Sequence, residues 1–242
     1  MTLQDLENKI KERISEYIEF DVSEIFTQGD FIAIYGGAVR DSIAGMEIHD
    51  VDILCASKSA TDLQKFLVGK YNYTFLDLYD KDSIAMYKDI SLIDEPWTLM
   101  NDHKKIIQII RPRLQNYNGE KDGFGVLKEF SKKNAFYHLI KNVDISCCGV
   151  FLESQSKDII LKEACKNAIV QCLSKTFEIN EWADIYDRNR TINREYKLRS
   201  RGWSRIEEGY FNKKEILRIE REMKIYSLEF NPEHDYKIWA DE

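Results

Sequence analysis

Residues 35–54, YGGAVRDSIAGMEIHDVDIL, concentrate the residue types that do phosphate chemistry. Asp50 and Asp52 stand two apart in an alternating acidic and apolar run. On a strand, residues two apart project from one face, so the two carboxylates would point together. Hard oxygen ligands of this kind suit Mg²⁺, which takes a few carboxylates and completes its shell with water and substrate phosphate. Upstream, Gly36 and Gly37 break a short apolar run. Glycine lets backbone approach a ligand closely, and the N–H groups of a turn and helix start form an anion site suited to a triphosphate. Arg40 falls in the first helical turn, where it would pair with phosphate or with a site carboxylate. Asp41 is placed to hold Arg40 or the turn. Two-metal phosphoryl transfer calls for a third carboxylate from a neighbouring strand. Asp144, in VDISCCGV, is the first choice, because a bare charge in so apolar a run is costly unless bound or paired. Asp77, in FLDLY, is its rival. His49 reads as a polar residue at a strand edge rather than a base.

Basic residues crowd together in one region, at Arg188, Arg190, Arg194, Lys197, Arg199, Arg201 and Arg205. On a helix, Arg190, Arg194, Lys197 and Arg201 recur at three- and four-residue steps and share a face. That face would contact the incoming triphosphate or an RNA backbone, with Lys197 and Arg201 the chosen ligands; a solvated face paired with acids is the plain alternative. Trp203 would stack on a base or, more simply, anchor the end of the helix in the core. Arg111 and Arg113, after the apolar run 106–110, end a strand either near the site or in a surface loop.

The elements that position these groups follow from periodicity. Leu3, Leu6, Ile10, Ile14 and Ile18 recur at helical steps, giving one amphipathic helix that ends near Phe20. Residues 31–35 form a strand, 38–44 a short helix closed by Gly45, and 50–54 the strand that carries the acidic pair. Ser59 is placed to cap a helix running to about Tyr71. Strands follow at 73–78, 84–87, 97–100, 106–110 and 143–152. From about residue 157 the pattern turns helical, over 157–172, 182–199 and 213–228. The last of these alternates charge and reads as a solvated face. The expected class is therefore α+β, a mixed β-sheet with helices followed by a helical C-terminal section. The expected division is a catalytic head over 1–155 and a helical section with a tail over 156–242, the tail beginning at Asn231.

The glycine pair, Arg-Asp and the D-V-D, in that order, resemble the head domain of the tRNA CCA-adding enzyme and bacterial poly(A) polymerase family, within the polymerase-β nucleotidyltransferase superfamily. Those proteins carry a GG-x-V-R-D segment and then a D-x-D on the next strand. The resemblance covers residues 35–54 of 242. It implies a polymerase-β-like head that transfers a nucleoside monophosphate from an NTP, with Asp50 and Asp52 as metal ligands, Gly36 and Gly37 on nucleotide phosphate, and Arg40 and Asp41 at the helix start. The family's arginine-rich segment ending in RRDFTINA is absent in that form, and its EDxxR segment is not recognisable. The acceptor therefore stays open among an RNA 3′ end such as that of tRNA, a protein side chain as in toxin–antitoxin enzymes, and a small molecule such as an aminoglycoside. An inactive nucleotide- or RNA-binding module is the reading from another class. The expected partners are NTP, two Mg²⁺ ions and an RNA acceptor, with RNA the first choice.

Bulk properties limit the field. Hydrophobic residues at 43% and charged residues at 32% specify a packed core. With no apolar run of membrane-spanning length and no signal-peptide core at the start, a soluble cytoplasmic protein is expected. A net charge of −7 excludes a basic coat over the whole surface, although a local patch counts for more than the total. The five cysteines form no CxxC pair and read as reduced thiols, mostly in the core. Four scattered histidines do not suggest a zinc cage.

Overall fold

The first helix, α1 (Leu3–Ile18), follows its apolar stripe, and Leu6, Ile10, Ile14 and Ile18 are all buried. Thr2 caps it. Its hydroxyl accepts the Asp5 N–H at 3.1 Å while the Asp5 carboxylate accepts the Thr2 N–H at 2.7 Å, the reciprocal arrangement of a capping box. This computed structural model describes residues 1–29, 31–76, 96–111, 140, 143–155, 158–180 and 188–206.

After α1 come α2 (Ser23–Phe26), β1 (Ile32–Tyr35), α3 (Gly37–Ala44), β2 (Val51–Cys55), α4 (Ser57–Tyr71), β3 (Thr74–Phe75), β4 (Trp97–Met100) and β5 (Ile106–Ile110). A 3₁₀ turn at Ser146–Cys148 precedes β6 (Val150–Gln155), β7 (Asp158–Glu163), α5 (Ala168–Ser174), β8 (Thr176–Phe177), α6 (Arg188–Ser200) and β9 (Ser204–Arg205). Seven of these strands form one mixed sheet in the order β3-β4-β5-β2-β1-β6-β7, in which β2 and β5 run parallel and the other neighbours antiparallel.

Period two then sorts the side chains. In register across the sheet, Trp97, Ile109, Ile53, Ile34, Leu152 and Leu161 face one way and join the core with Leu6, Ile10, Ile14 and Val39 of α1 and α3. The neighbouring row, Thr98, Gln108, Asp52, Tyr35, Phe151 and Lys162, faces the other way. Ala33, Leu54, Ile110 and Phe151 share that second face and form a smaller apolar cluster with Ile140. Asp52 thus lies on the face opposite the main core, within a partly polar row.

Three expectations differ from the structure. The strand expected over 143–152 begins only at Val150; Ile145 makes a single bridge to Ile179, and the 3₁₀ turn follows. Ser146 explains the interruption. Its hydroxyl bonds to Gln171 at 2.5 Å and accepts the Glu178 N–H at 2.9 Å, local side-chain bonding that competes with a ladder. The helix expected over 157–172 is instead β7 and the short α5. The run from Ile159 to Leu161 continues a hairpin from β6, so the sheet passes residue 155, the expected end of the head. Ser59 does not cap α4. Ala56 is the N-cap, and Ser59 is buried where Gly29 approaches so closely that a Cβ there would lie 2.4 Å from its hydroxyl. The elements expected over 84–87 and 213–228, and the tail from Asn231, lie outside the described residues. Among the described residues, no helix is long and apolar enough to cross a membrane.

Candidate active site

Strand β1 ends at Tyr35, and the chain turns through Gly36 at φ 69 and ψ −126, a conformation that glycine adopts without strain. The Gly36 N–H donates to the Val150 carbonyl at 3.0 Å, tying the turn to β6. A Cβ on Gly36 would meet nothing within 4 Å, so its outer side is open to a ligand. One on Gly37 would lie 3.8 Å from Arg40 Nη2 and 3.9 Å from Asp50 Oδ1. The glycine turn, the Arg40 guanidinium and the Asp50 carboxylate therefore meet at one place, at the start of α3.

Asp52 lies on β2 beside Tyr35 of β1 and Gln108 of β5. Its Oδ1 is buried and has no hydrogen-bond partner among the described residues. Burial, reinforced by the nearby Asp50 charge, pushes its carboxyl up to about 7, while Arg194 and Arg40 pull in the opposite direction. Asp50 itself falls one residue before β2, in the segment that leads out of α3. Two hard oxygen donors, one of them a buried orphan, lie beside an open glycine turn, a donor set of the kind that suits Mg²⁺. Among the described residues, no three His, Cys, Asp or Glu side chains are grouped to hold a metal ion.

The expected third carboxylate is accordingly not gathered with the pair. Asp144 precedes the 3₁₀ turn rather than lying on a strand, and it forms an ion pair with Arg194 and accepts from the Thr191 hydroxyl at 3.5 Å. Its charge is answered from α6, which is how a nearly buried carboxylate escapes the cost expected of a bare one. Its rival Asp77 lies outside the described residues.

Arg40 is held by Asp41 through Nε at 2.8 Å and Nη2 at 2.9 Å, and its Nη1 lies 3.1 Å from Cys148 Sγ. Asp41 also receives Arg201 Nη1 at 3.0 Å, while Arg201 Nη2 donates to the Glu47 carbonyl at 2.9 Å. One buried carboxylate thus serves two guanidinium groups. With both terminal nitrogens on protein partners, Arg201 ties the end of α6 to α3. Trp203 is a core anchor. It is buried, its indole N–H donates to Met46 Sδ at 2.9 Å, and Arg40 lies 5.6 Å from its ring. On α6, Thr191 and Leu198 are buried, and Arg194 and Arg201 reach partners on that side, whereas Lys197 stands exposed on the flank. Lys197 thus does not join the other two in facing the site. The side chain of Arg190 is outside the described set.

Cys148, one of five thiols expected to lie mostly in the core, belongs to this cluster. The Cys147 thiol donates to it and, with the Arg40 and Arg194 charges, brings it down to about 6 despite burial. The sequence offered no signal for this, nor for Arg194 serving Asp144. Two α1 residues also reach the site's approach: Arg13 donates to the Met46 carbonyl and the Tyr17 hydroxyl to the His49 carbonyl. Their spacing of four, flanking the apolar stripe, was a visible but unspecific sign.

No family model matches the chain, and no curated protein sequence does. Solved structures share its fold. A CCA-adding enzyme in complex with CTP superposes at a TM-score of 0.56 with 16% identity, covering 92% of this chain and 46% of the other. One in complex with ATP gives 0.58 and 15%, over 91% and 46%. The Thermotoga maritima CCA-adding enzyme complexed with tRNA gives 0.52 and 14%, over 90% and 45%. The chain spans a little under half the length of these proteins. Identity so low establishes the fold alone, one shared with part of these CCA-adding enzymes.

Proposed function

We propose that this chain is a cation-dependent nucleotidyltransferase, moving a nucleoside monophosphate from an NTP to an acceptor hydroxyl, with a tRNA-like RNA 3′ end the favoured acceptor. One observation carries the reading: Asp50 and Asp52, the latter with a buried orphan oxygen, converge on an open glycine turn at a helix start. Fold neighbours in complex with CTP, ATP and tRNA support a nucleotide and an RNA as partners.

Asp50 and Asp52 would hold Mg²⁺, two ions in the reading from sequence. Bound there, the cations supply activation of the attacking hydroxyl and neutralisation of the triphosphate and the leaving pyrophosphate. Past the open turn at Gly36, the first N–H groups of α3, from Gly37 on, face phosphate, aided by the positive end of the helix. Arg40, fixed by Asp41 beside Gly37, sets a guanidinium charge against the same phosphates. Asp52, whose carboxyl burial raises to about 7, would hold the cation in its ionised form. Asp144 serves the site through Arg194, holding that charge near Asp52. Lys197, exposed on α6, is suited to an RNA backbone rather than to the triphosphate.

The test incubates purified protein with Mg²⁺, each of the four labelled NTPs and total cellular RNA, beside an Asp50→Ala/Asp52→Ala double variant. The expected result is a discrete labelled RNA band that the double variant loses. Labelled protein or a labelled small molecule, with RNA unlabelled, would keep the chemistry and replace the acceptor.

A further inference from the structure

Asp50 does not sit on a strand. It ends a five-residue connection, residues 46–50, between the αL cap of α3 at Gly45 and the start of β2. Such a segment has no ladder to fix it, and Ile48 is its one buried side chain. Its carbonyls are nonetheless taken one after another by side chains from two distant helices. Met46 O accepts from Arg13 and His49 O from Tyr17, both on α1. Glu47 O accepts from Arg201, just beyond α6, at 2.9 Å.

We infer that Tyr17 and Arg201 are positioning residues that fix the connection preceding Asp50, and so set the distance between the Asp50 and Asp52 carboxylates. The inference rests on the reading of those two residues as cation ligands. Tyr17 bonds in two directions. Its hydroxyl donates to the carbonyl of the residue before Asp50 and accepts the Ile106 N–H at 3.1 Å. Ile106 opens β5, the parallel neighbour of β2. One hydroxyl therefore references Asp50 to the sheet that carries Asp52. Arg201 closes a second circuit: through Asp41 it reaches Arg40, and Arg40 and Asp50 both approach Gly37. Neither side chain needs to touch the nucleotide. Groups that orient metal ligands in this way typically carry tenfold to a hundredfold in metal affinity, roughly, and small misplacements cost rate steeply.

The test is a Mn²⁺ titration of the full chain without nucleotide, following free Mn²⁺ by electron paramagnetic resonance, in wild type, Tyr17→Phe, Arg201→Gln and Arg201→Lys. Both Tyr17→Phe and Arg201→Gln are expected to weaken Mn²⁺ by about tenfold or more, measured at a temperature where each variant is folded. Arg201→Lys should recover part of the loss, since an ammonium reaches one of the two partners but lacks the fork for both. In turnover, kcat should fall at saturating NTP while KM for NTP moves little. Should Arg201→Gln fail to fold, Tyr17→Phe decides, because it removes a single hydroxyl. Equal Mn²⁺ affinity in wild type and variants would overturn the inference and leave the cation site standing. A raised KM for NTP in Arg201→Gln with unaltered Mn²⁺ binding would make Arg201 a phosphate ligand instead. Wild type that takes no Mn²⁺ would remove the cation site, and the inference with it.

Discussion

Asp52 carries the most consequential charge in the molecule. Its carboxyl, pushed up to about 7 by burial and by Asp50, ionises near 3.8 when free of the fold. Between those values the folded chain holds a proton that the unfolded chain has released, so without divalent cation stability falls as pH rises through that window. The melting temperature of the metal-free protein should therefore drop from about pH 5 to about pH 7.5. Asp52→Asn should flatten the profile and, at the upper end, exceed wild type by roughly 1–3 kcal/mol. Saturating Mg²⁺ should restore the wild type but not the variant; a pH-independent wild type would contradict the assignment. Cys148 gives a second residue-scale outcome. Brought down to about 6 by the Cys147 thiol and by neighbouring arginines, and partly exposed where the other four thiols are buried, it should alkylate first at neutral pH. Peptide mapping after brief iodoacetamide treatment checks this, and Cys147→Ala should slow the labelling. At this scale the glycine turn was legible because it is local, whereas Asp50 falls one residue before β2, off the strand that spacing assigned it. Partners of Asp144 and Cys148 were not legible, because α6 arrives from dozens of residues away and nothing local encodes its docking.

Among the elements, α3 and α6 are joined through one carboxylate. Asp41 is 3% exposed and answers both Arg40 and Arg201. Removing it leaves two guanidinium groups without a counter-charge in a nearly dry place, a loss of about 3–5 kcal/mol by analogy with broken buried pairs. Asp41→Ala should show that loss in urea unfolding at neutral pH; a change under about 1 kcal/mol would mean water reaches the pair. The elements that sequence periodicity identified best are those whose stripe or alternation is long or cleanly bounded, such as α1 and β5. The errors at 143–152 and 157–172 share one cause. Short apolar runs satisfy several periods at once, and tertiary partners such as Ser146 with Glu178, or β6 with β7, decide among them.

Over the whole molecule, the net charge of −7 does not prevent a local gathering of cations. Arg40, Arg194 and Arg201 come from separate stretches of the chain to surround four carboxylates, Asp41, Asp50, Asp52 and Asp144. With Asp52 ionised, the four carboxylates outnumber the three guanidinium groups by one, an excess that a divalent cation would offset. The head was legible from residues 35–54 because a strand, a tight turn, a helix and a second strand are encoded contiguously there. The register of seven strands, which places Asp52 opposite the main core, depends on pairings far apart in sequence. The central claim is transfer of the α-phosphoryl group with release of pyrophosphate. The direct measurement supplies ATP or CTP labelled separately at the α- and γ-phosphorus, with Mg²⁺ and total RNA. Label from the α position should enter the acceptor while γ label leaves as pyrophosphate in equal amount, and Asp52→Ala should abolish both. Label from the γ position in the acceptor, or orthophosphate as the released product, would contradict nucleotidyl transfer.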